Sequence, residues 1–158
     1  GLDYSYTDAT FRSGLVLNSP ENPLADANGQ IAVVPGNHIP GVPRDLVKAN
    51  LIYVFTPSWS ISLAVQAADG KYLRGDESNL NPKLPGYFTA DVSTRWHLTE
   101  HLELFASVEN LFDAHYATFG TFSPTDRIPI REAPGASDPR SVSPATPRSF
   151  YAGLRVQL

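Results

Sequence analysis

The sequence predicts an all-β protein, an antiparallel meander of about six strands. Apolar and polar residues alternate with period two through most of the chain, and the 3.6-residue period of a helix is matched poorly. The 14 prolines are clustered, which leaves proline-free windows at 1–19, 44–56, 58–81, 86–123 and 148–158. Because proline cannot donate to a β ladder, such windows separated by proline-rich stretches are typical of strands joined by loops.

Three strands are predicted in the first half of the chain. The first, at 1–13, alternates weakly, whereas the second, at 44–56, and the third, at 59–68, carry clear apolar sets at every second position. Period-two alternation places each set on one face of a sheet. The three sets are Leu2, Tyr4 and Tyr6; Val47, Ala49, Leu51, Tyr53 and Phe55; and Trp59, Ile61, Leu63, Val65 and Ala67.

Three further strands are predicted at 87–98, 102–118 and 148–158. The strand at 87–98 alternates most cleanly, with polar residues such as Asp91 and Arg95 on the face opposite its apolar set. A charged face of this kind suits either solvent or a water-filled lumen. The apolar sets are Phe88, Ala90, Val92, Trp96 and Leu98; Leu102, Leu104, Ala106 and Val108; and Phe150, Ala152, Leu154, Val156 and Leu158.

Short and long connections alternate along the chain. The links after residues 56 and 98 are tight turns, whereas the links at 14–43, 73–86 and 119–147 are long. This alternation is expected of a transmembrane barrel, in which short turns lie at the periplasmic rim and long loops at the outer rim. Strands of about 9–11 residues, with aromatic residues near the short turns, also match a bilayer-spanning barrel.

A second interpretation remains open at this point. A soluble or surface β-sandwich that acts as a binding or adhesin module, with Trp59 and Trp96 in its core, would show the same periodicity.

The remaining composition limits the function classes further. With 158 residues the chain has the length of one domain, and its net charge of −4 gives no basic footprint for nucleic acid. It has no cysteine, which excludes disulfides and thiol chemistry within it.

Four segments resemble those of TonB-dependent outer-membrane receptors, and they occur in the family's order. The stretch 108–118, which begins Val-Glu-Asn-Leu-Phe-Asp, resembles the family signature ENLFD-x-x-Y. The last twelve residues, 147–158, resemble the closing strand, although outer-membrane barrels usually end in an aromatic residue and this chain ends in Leu158. The segment 39–44, Ile-Pro-Gly-Val-Pro-Arg, resembles the return from a long loop to a strand, and 6–11 resembles the segment before that loop.

The resemblance implies a 22-stranded barrel of which residues 1–158 form the C-terminal part, six strands, without the plug domain and the earlier strands. It implies energised uptake of a ferric siderophore or a similar scarce nutrient across the Gram-negative outer membrane. The implied partners are the lipid bilayer, the transported ligand and TonB, which would be contacted through the missing N-terminal region. A six-stranded sheet has two open edges, so we expect the strands at 1–13 and 148–158 to remain unpaired with each other.

The candidate ligand-binding residues lie in the long connections. Arginine and aromatic side chains are suitable for anionic, aromatic-rich ferric siderophores, because they supply charge-assisted hydrogen bonds and stacking. The candidates are Tyr72, Arg74, His115, Tyr116, Phe119, Phe122, Arg127, Arg131 and Arg140.

No pattern in the sequence predicts an enzyme. No serine lies in a Gly-x-Ser-x-Gly elbow, and no glycine-rich phosphate loop is present. His97 and His101 flank a short turn, so they lack the helical i, i+4 spacing of a ligand pair. We therefore expect no catalytic residue, no cofactor and no metal site.

Asn110 and Asp113 interrupt the alternation, which predicts a β-bulge. The side chains of these two residues would bind the backbone groups that the bulge leaves free.

Overall fold

The computed structural model describes residues 1–125 and 135–157. In these residues some strands have four to six residues, and others have eight to twelve, about the length that crosses a bilayer. Within these ranges no helix has the length and apolar character needed to cross a membrane. The strands are β1 (Leu2–Tyr6), β2 (Leu15–Asn18), β3 (Gln30–Val33), β4 (Asp45–Thr56), β5 (Trp59–Ala68), β6 (Tyr87–His97), β7 (Leu102–Glu109), β8 (Ala117–Phe122), β9 (Arg140–Pro144) and β10 (Ser149–Val156).

Six of these strands form one antiparallel sheet in the order β1-β4-β5-β6-β7-β10. This order confirms the predicted meander of six neighbouring strands. In the described part of the chain no ladder joins β1 to β10, as expected, so both outer strands present one unpaired edge. The short turns at 57–58 and 98–101 lie at one end of the sheet, here called the short-turn rim. The connections 7–44, 69–86 and 110–148 lie at the other end, the long-loop rim.

The register gives the sheet two chemically different faces. One row across the strands consists of Leu51, Leu63, Val92, Val108 and Phe150. The row beside it, on the opposite face, runs through Ile52, Ser62, Ser93, Ser107 and Tyr151. Ten apolar residues from the predicted sets share the first face, here called the apolar face: Val47, Leu51, Ile61, Leu63, Val65, Phe88, Val92, Leu104, Leu154 and Val156.

The apolar face is exposed rather than buried. Leu51, Leu154 and Phe150 are 61%, 66% and 71% exposed, so the face does not pack on a second sheet at these positions. Aromatic rings cluster on it at the short-turn rim, where Phe55 stacks on Trp59 at 4.3 Å and meets Tyr53 edge-on at 4.6 Å. The Trp59 indole N–H also donates to the Thr94 hydroxyl at 3.0 Å. An exposed apolar face bordered by aromatic rings is typical of a sheet that contacts lipid.

Two of the predicted long loops contain strands that period-two alternation did not reveal. The connection 7–44 contains the hairpin β2–β3, and the connection 110–148 contains the hairpin β8–β9. The prediction of a strand at 102–118 extended too far, because β7 ends at Glu109. The first strand was also too long, because β1 ends at Tyr6 rather than at residue 13.

A tight turn replaces the predicted bulge after β7. Asn110 and Asp113 adopt positive φ angles of 50° and 53°, and the Asp113 amide donates to the Asn110 carbonyl at 2.8 Å. The Asn110 side chain accepts from the Ala114 amide at 2.9 Å and donates to the carbonyls of Ala114 and Thr146 at 3.0 and 3.2 Å. Both residues therefore bind backbone groups as predicted, but they end the strand instead of bending it, since asparagine and aspartate tolerate the left-handed region.

Gly153 of β10 lies directly under an aromatic ring of the neighbouring strand. It pairs with Phe105, and a Cβ built at Gly153 would clash with the Phe105 ring. We expect Gly153→Val to destabilise the intact protein by about 1–3 kcal/mol, the usual effect of overpacking. The measurement is the free energy of unfolding in lipid vesicles. Ala152→Val, on the exposed apolar face, is the matched control, and adding Phe105→Ala should restore the stability of Gly153→Val. Equal stability of both single variants would contradict the cross-strand packing.

Candidate ligand-facing surface

Two long connections are fastened to each other at the long-loop rim. The side chain of Asn22, from 7–44, donates to the Gly75 carbonyl in 69–86 at 2.7 Å, and the Ser19 hydroxyl donates to the same carbonyl at 2.9 Å. Asn79 donates to the His38 carbonyl at 3.0 Å. Residues 41 to 56 positions apart in the sequence are thereby held together. We call the joined connections 7–44 and 69–86 the loop platform.

The centre of the loop platform is the carboxylate of Asp76, which is fully buried. One of its oxygens accepts from the Ser78 hydroxyl at 3.0 Å, the Leu80 amide at 3.2 Å and the Asn81 side chain at 3.0 Å. The other oxygen accepts from the Asn81 amide at 3.0 Å. The Asn81 side chain also donates to the Asn22 side chain at 3.0 Å, which links Asp76 to the other connection. A buried carboxylate with this many donors fixes the loop geometry.

The hairpin β8–β9 is attached to the loop platform through Arg74 and Phe122. The Arg74 amide donates to the Gly120 carbonyl at 2.9 Å, and the Thr121 hydroxyl donates to the Arg74 carbonyl at 3.2 Å. Phe122 is 9% exposed and forms a hydrophobic cluster with Leu73 and Leu84. Phe122 was predicted to contact the ligand, but its ring is occupied by this cluster, so its observed contacts are those of a support for the loops.

A shallow depression opens between the loop platform and β8. Residues of all three segments line it, and they carry charges of both signs, because the exposed Arg74 shares the lining with Glu21 and Glu77. Guanidinium and hydroxyl donors at such a border can hold an anionic group. The lining residues that carry polar side chains are Asn18, Ser19, Glu21, Arg74, Glu77 and Thr121.

Tyr72 lies on the loop platform beside two basic residues. Its ring stacks on the His38 imidazole with centroids 6.4 Å apart, and the Lys83 ammonium group lies 5.1 Å from its ring centroid. The Tyr72 carbonyl accepts from the Gly41 amide at 2.9 Å. Tyr72 is therefore held in place and half-buried, with a cation over its ring.

Tyr116 belongs to a different part of the surface. Its ring stacks on Tyr87 of β6 at 4.3 Å, on the polar face of the sheet. Burial, and then the neighbouring Tyr87 and Asp91, raise the pKa of the Tyr116 hydroxyl, which therefore stays protonated and can donate. A polar depression of about 450 Å³ lies beside it, lined mainly by Asp3, Lys48, Asn50, Gln66, Thr89, Asp91, Glu109, Asn110, Tyr116 and Thr146.

Three further candidates, His115, Phe119 and Arg140, lie in the connection 110–148. His115 and Phe119 are exposed. Arg140 binds Asp138 with a shortest N–O distance of 2.6 Å, and this hydrogen bonding lowers the pKa of Asp138 to about 2. Arg127 and Arg131 lie outside the described residues. The structure thus brings Arg74 and Phe122 together and pairs Phe122 with Arg140 across β8 and β9, whereas Tyr72 and Tyr116 occupy separate places.

Several residues at this surface were not among the sequence-based candidates. Glu21 and Glu77 border the depression beside Arg74, and Asp76, Asn22 and Asn81 hold it in shape. The run of glycine, aspartate, serine and asparagine at 75–81 indicates a turn. Its pairing with residues 19–22 has no signal in a single sequence.

Of the two histidines near the short-turn rim, His97 lies beside an acidic side chain. Glu103 is buried, and its carboxylate lies 2.9 Å from the Arg155 guanidinium and 3.4 Å from the His97 imidazole. Within residues 1–125 and 135–157, no group of three or more His, Asp or Glu side chains could hold a metal ion. The Glu103 carboxylate is instead neutralised by its neighbours across β6, β7 and β10.

A sheet with one exposed apolar face, one polar face and all long connections at one rim defines the wall of a transmembrane β-barrel. The sequence profile described as "TonB dependent receptor-like, beta-barrel" matches residues 1–111. The chain belongs to this family of outer-membrane barrels. No curated protein matches the chain by sequence.

Solved structures of receptors show the same fold. The siderophore receptor PiuA from Acinetobacter baumannii matches 77% of the chain with a TM-score of 0.60 and 20% identity. The ferric-catecholate import receptor Fiu from E. coli K12 matches 80% with a TM-score of 0.56 and 20% identity. The copper transporter OprC matches 78% with a TM-score of 0.52 and 17% identity. The chain spans 15%, 17% and 19% of the lengths of these three proteins.

Proposed function

We propose that the chain forms part of the barrel wall and long-loop rim of a TonB-dependent transporter in the Gram-negative outer membrane. The transporter takes up a ferric siderophore or a similar scarce nutrient, and the nutrient undergoes no covalent change during transport. In this proposal a plug domain and further strands, which complete the barrel at the edges of β1 and β10, belong to the same receptor. TonB contacts the receptor outside residues 1–158.

The observation that carries the proposal is the two-faced sheet of a chain whose family profile covers 1–111. The exposed apolar face requires lipid, and the polar face with Lys48, Asp91 and Glu109 requires water. In this orientation the long-loop rim faces outward, so the loop platform meets the nutrient first. The likeness to the siderophore receptor PiuA and the ferric-catecholate import receptor Fiu favours an iron complex, and the likeness to the copper transporter OprC favours copper as a second candidate.

Uptake by a deletion strain tests the proposal directly. Cells that lack the intact receptor should lose energy-dependent uptake of one radiolabelled iron complex, and the receptor gene should restore it only when TonB is present. Catecholate, hydroxamate and phenolate iron complexes are supplied separately, with copper(II) as the second candidate. Unchanged uptake of every one of these compounds in the deletion strain would contradict the proposed function.

Arg74 offers a sharper test of the ligand-facing depression. Arg74 is exposed and lines the depression, whereas the guanidinium of Arg140 is engaged by Asp138. For an anionic iron complex that the intact receptor binds, we expect Arg74→Ala to weaken binding about tenfold, because one charge-assisted hydrogen bond is lost. Arg140→Ala, the matched control, should change the affinity by less than about twofold. Binding is measured by fluorescence quenching, and equal effects of the two variants would exclude Arg74 from the site.

A further inference from the structure

The apolar face carries a cation at its long-loop rim. Arg148 directly precedes β10, and its guanidinium carbon lies 6.0 Å from the centroid of the Phe150 ring, which belongs to the apolar face. Phe112, in the turn after β7, lies 6.0 Å from Phe88 on the same face. We call Phe88, Phe112, Arg148 and Phe150 the Arg148 patch.

The rings of the Arg148 patch are strongly exposed. Phe112 and Phe150 are 64% and 71% exposed, and the Arg148 side chain is 44% exposed. Exposed phenyl rings beside a guanidinium form a surface that is apolar on one side and cationic on the other. Such a surface complements a molecule with an apolar chain and an anionic group.

The guanidinium of Arg148 is only loosely held by protein groups. It lies 3.9 Å from the Asp113 carboxylate, and its hydrogen bond to the Leu111 carbonyl is long, at 3.5 Å. The pair with Asp113 is exposed on both sides, and exposed pairs contribute little to stability. The turn itself uses the Arg148 main chain, whose amide donates to Asp113 at 3.1 Å. The guanidinium can therefore bind a further anion without loosening the turn.

We propose that the Arg148 patch binds the phosphate group of an anionic membrane lipid in the outer leaflet. The guanidinium donates to the lipid phosphate, and the acyl chain lies against Phe112, Phe150 and the apolar residues below them. Arginine is suited to this role because its planar fork matches the phosphate oxygens and its ring contact keeps it oriented. The inference depends on the membrane placement proposed above, but not on any transported ligand.

Native mass spectrometry of the intact receptor tests this inference. The detergent-solubilised receptor is mixed with dioleoyl phosphatidylglycerol or with dioleoylglycerol, which has the same chains but no phosphate. Arg148→Gln is expected to lower retention of the phospholipid about fivefold, the factor equivalent to about 1 kcal/mol per basic residue near an anionic membrane surface. Arg148→Lys should retain most of the binding. Arg95→Gln, an exposed arginine of the polar face, should bind like the unaltered receptor.

Several outcomes would overturn the inference while leaving the transport function intact. These are equal phospholipid retention in Arg148→Gln and the unaltered receptor, equal retention of dioleoylglycerol, or complete displacement by excess inorganic phosphate, which would indicate a site for the free anion. A second copy of the receptor bound in place of lipid would also overturn it. Loss of folding in Arg148→Gln is recognised by a changed circular dichroism spectrum, and the comparison of the two lipids on the unaltered receptor then decides the outcome.

Discussion

Val92→Arg is expected to destabilise the intact receptor by about 2–4 kcal/mol, the range for an arginine at the bilayer midplane on a lipid-facing strand. Val92 lies near the centre of the apolar face, in one row with Leu63 and Val108. An arginine there cannot reach water without deforming the bilayer or the sheet. The free energy of unfolding, measured by urea titration in phospholipid vesicles, gives the effect.

Asp91→Arg is the matched control, one residue away on the polar face. Its new side chain remains in water, and the variant loses one hydrogen bond, from the Asn110 amide to the Asp91 carboxylate at 2.8 Å. Such a bond contributes about 1 kcal/mol. Equal destabilisation by Val92→Arg and Asp91→Arg would be incompatible with a lipid-facing apolar side.

The second large effect is expected at Asp76. Asp76→Ala removes the acceptor of four hydrogen bonds within the loop platform and leaves the donors of Ser78, Leu80 and Asn81 without it. Each buried donor left unsatisfied costs about 1–3 kcal/mol. The free energy of local opening of the loops should therefore fall by roughly 2–5 kcal/mol. Amide hydrogen exchange at 75–81 should accelerate at least about thirtyfold, the factor for the lower limit.

The coupling between the two connections makes this prediction specific. Because Asn81 links Asp76 to Asn22, the amides of 19–30 should lose protection together with those of 75–81. Asp69→Ala is the control, since the exposed Asp69 side chain accepts only from the adjacent Gly70 amide in the described structure. Independent exchange of the two segments in Asp76→Ala would show that the loop platform is not one unit.

The main sheet could be predicted from the sequence because its strands alternate with a period that fixes both faces. Phe88, Ala90 and Val92 follow each other at intervals of two residues, which a strand but not a helix places on one side. The hairpin β8–β9 could not be predicted in the same way, because Gly120 and Pro144 weaken the strand signal and its partners are separated by the proline-rich stretch. At Asn110 the sequence predicted only that the period-two alternation is interrupted. The two adjacent apolar residues Leu111 and Phe112 do not distinguish a β-bulge from the end of a strand.

The candidate site was predicted less completely than the sheet. Residue type alone indicated Arg74 and Tyr116, and both lie at depressions of the surface. The same reasoning could not distinguish Phe122, whose ring supports the loops, from an exposed aromatic such as Phe119. Burial in a loop depends on contacts such as Asn22 with Gly75, which join distant segments and leave no periodic trace in the sequence.

The most direct test of the two-faced barrel wall is site-directed spin labelling of β6 in the intact receptor reconstituted in lipid vesicles. Residues 1–158 contain no cysteine, so single cysteines from 88 to 95 can be labelled individually within this segment. Collision with molecular oxygen, which is enriched in lipid, should be high at positions 88, 92 and 94. Collision with a water-soluble nickel chelate should be high at 91, 93 and 95. Two out-of-phase profiles of period two are the expected result, and two profiles without alternation would contradict the lipid-facing wall.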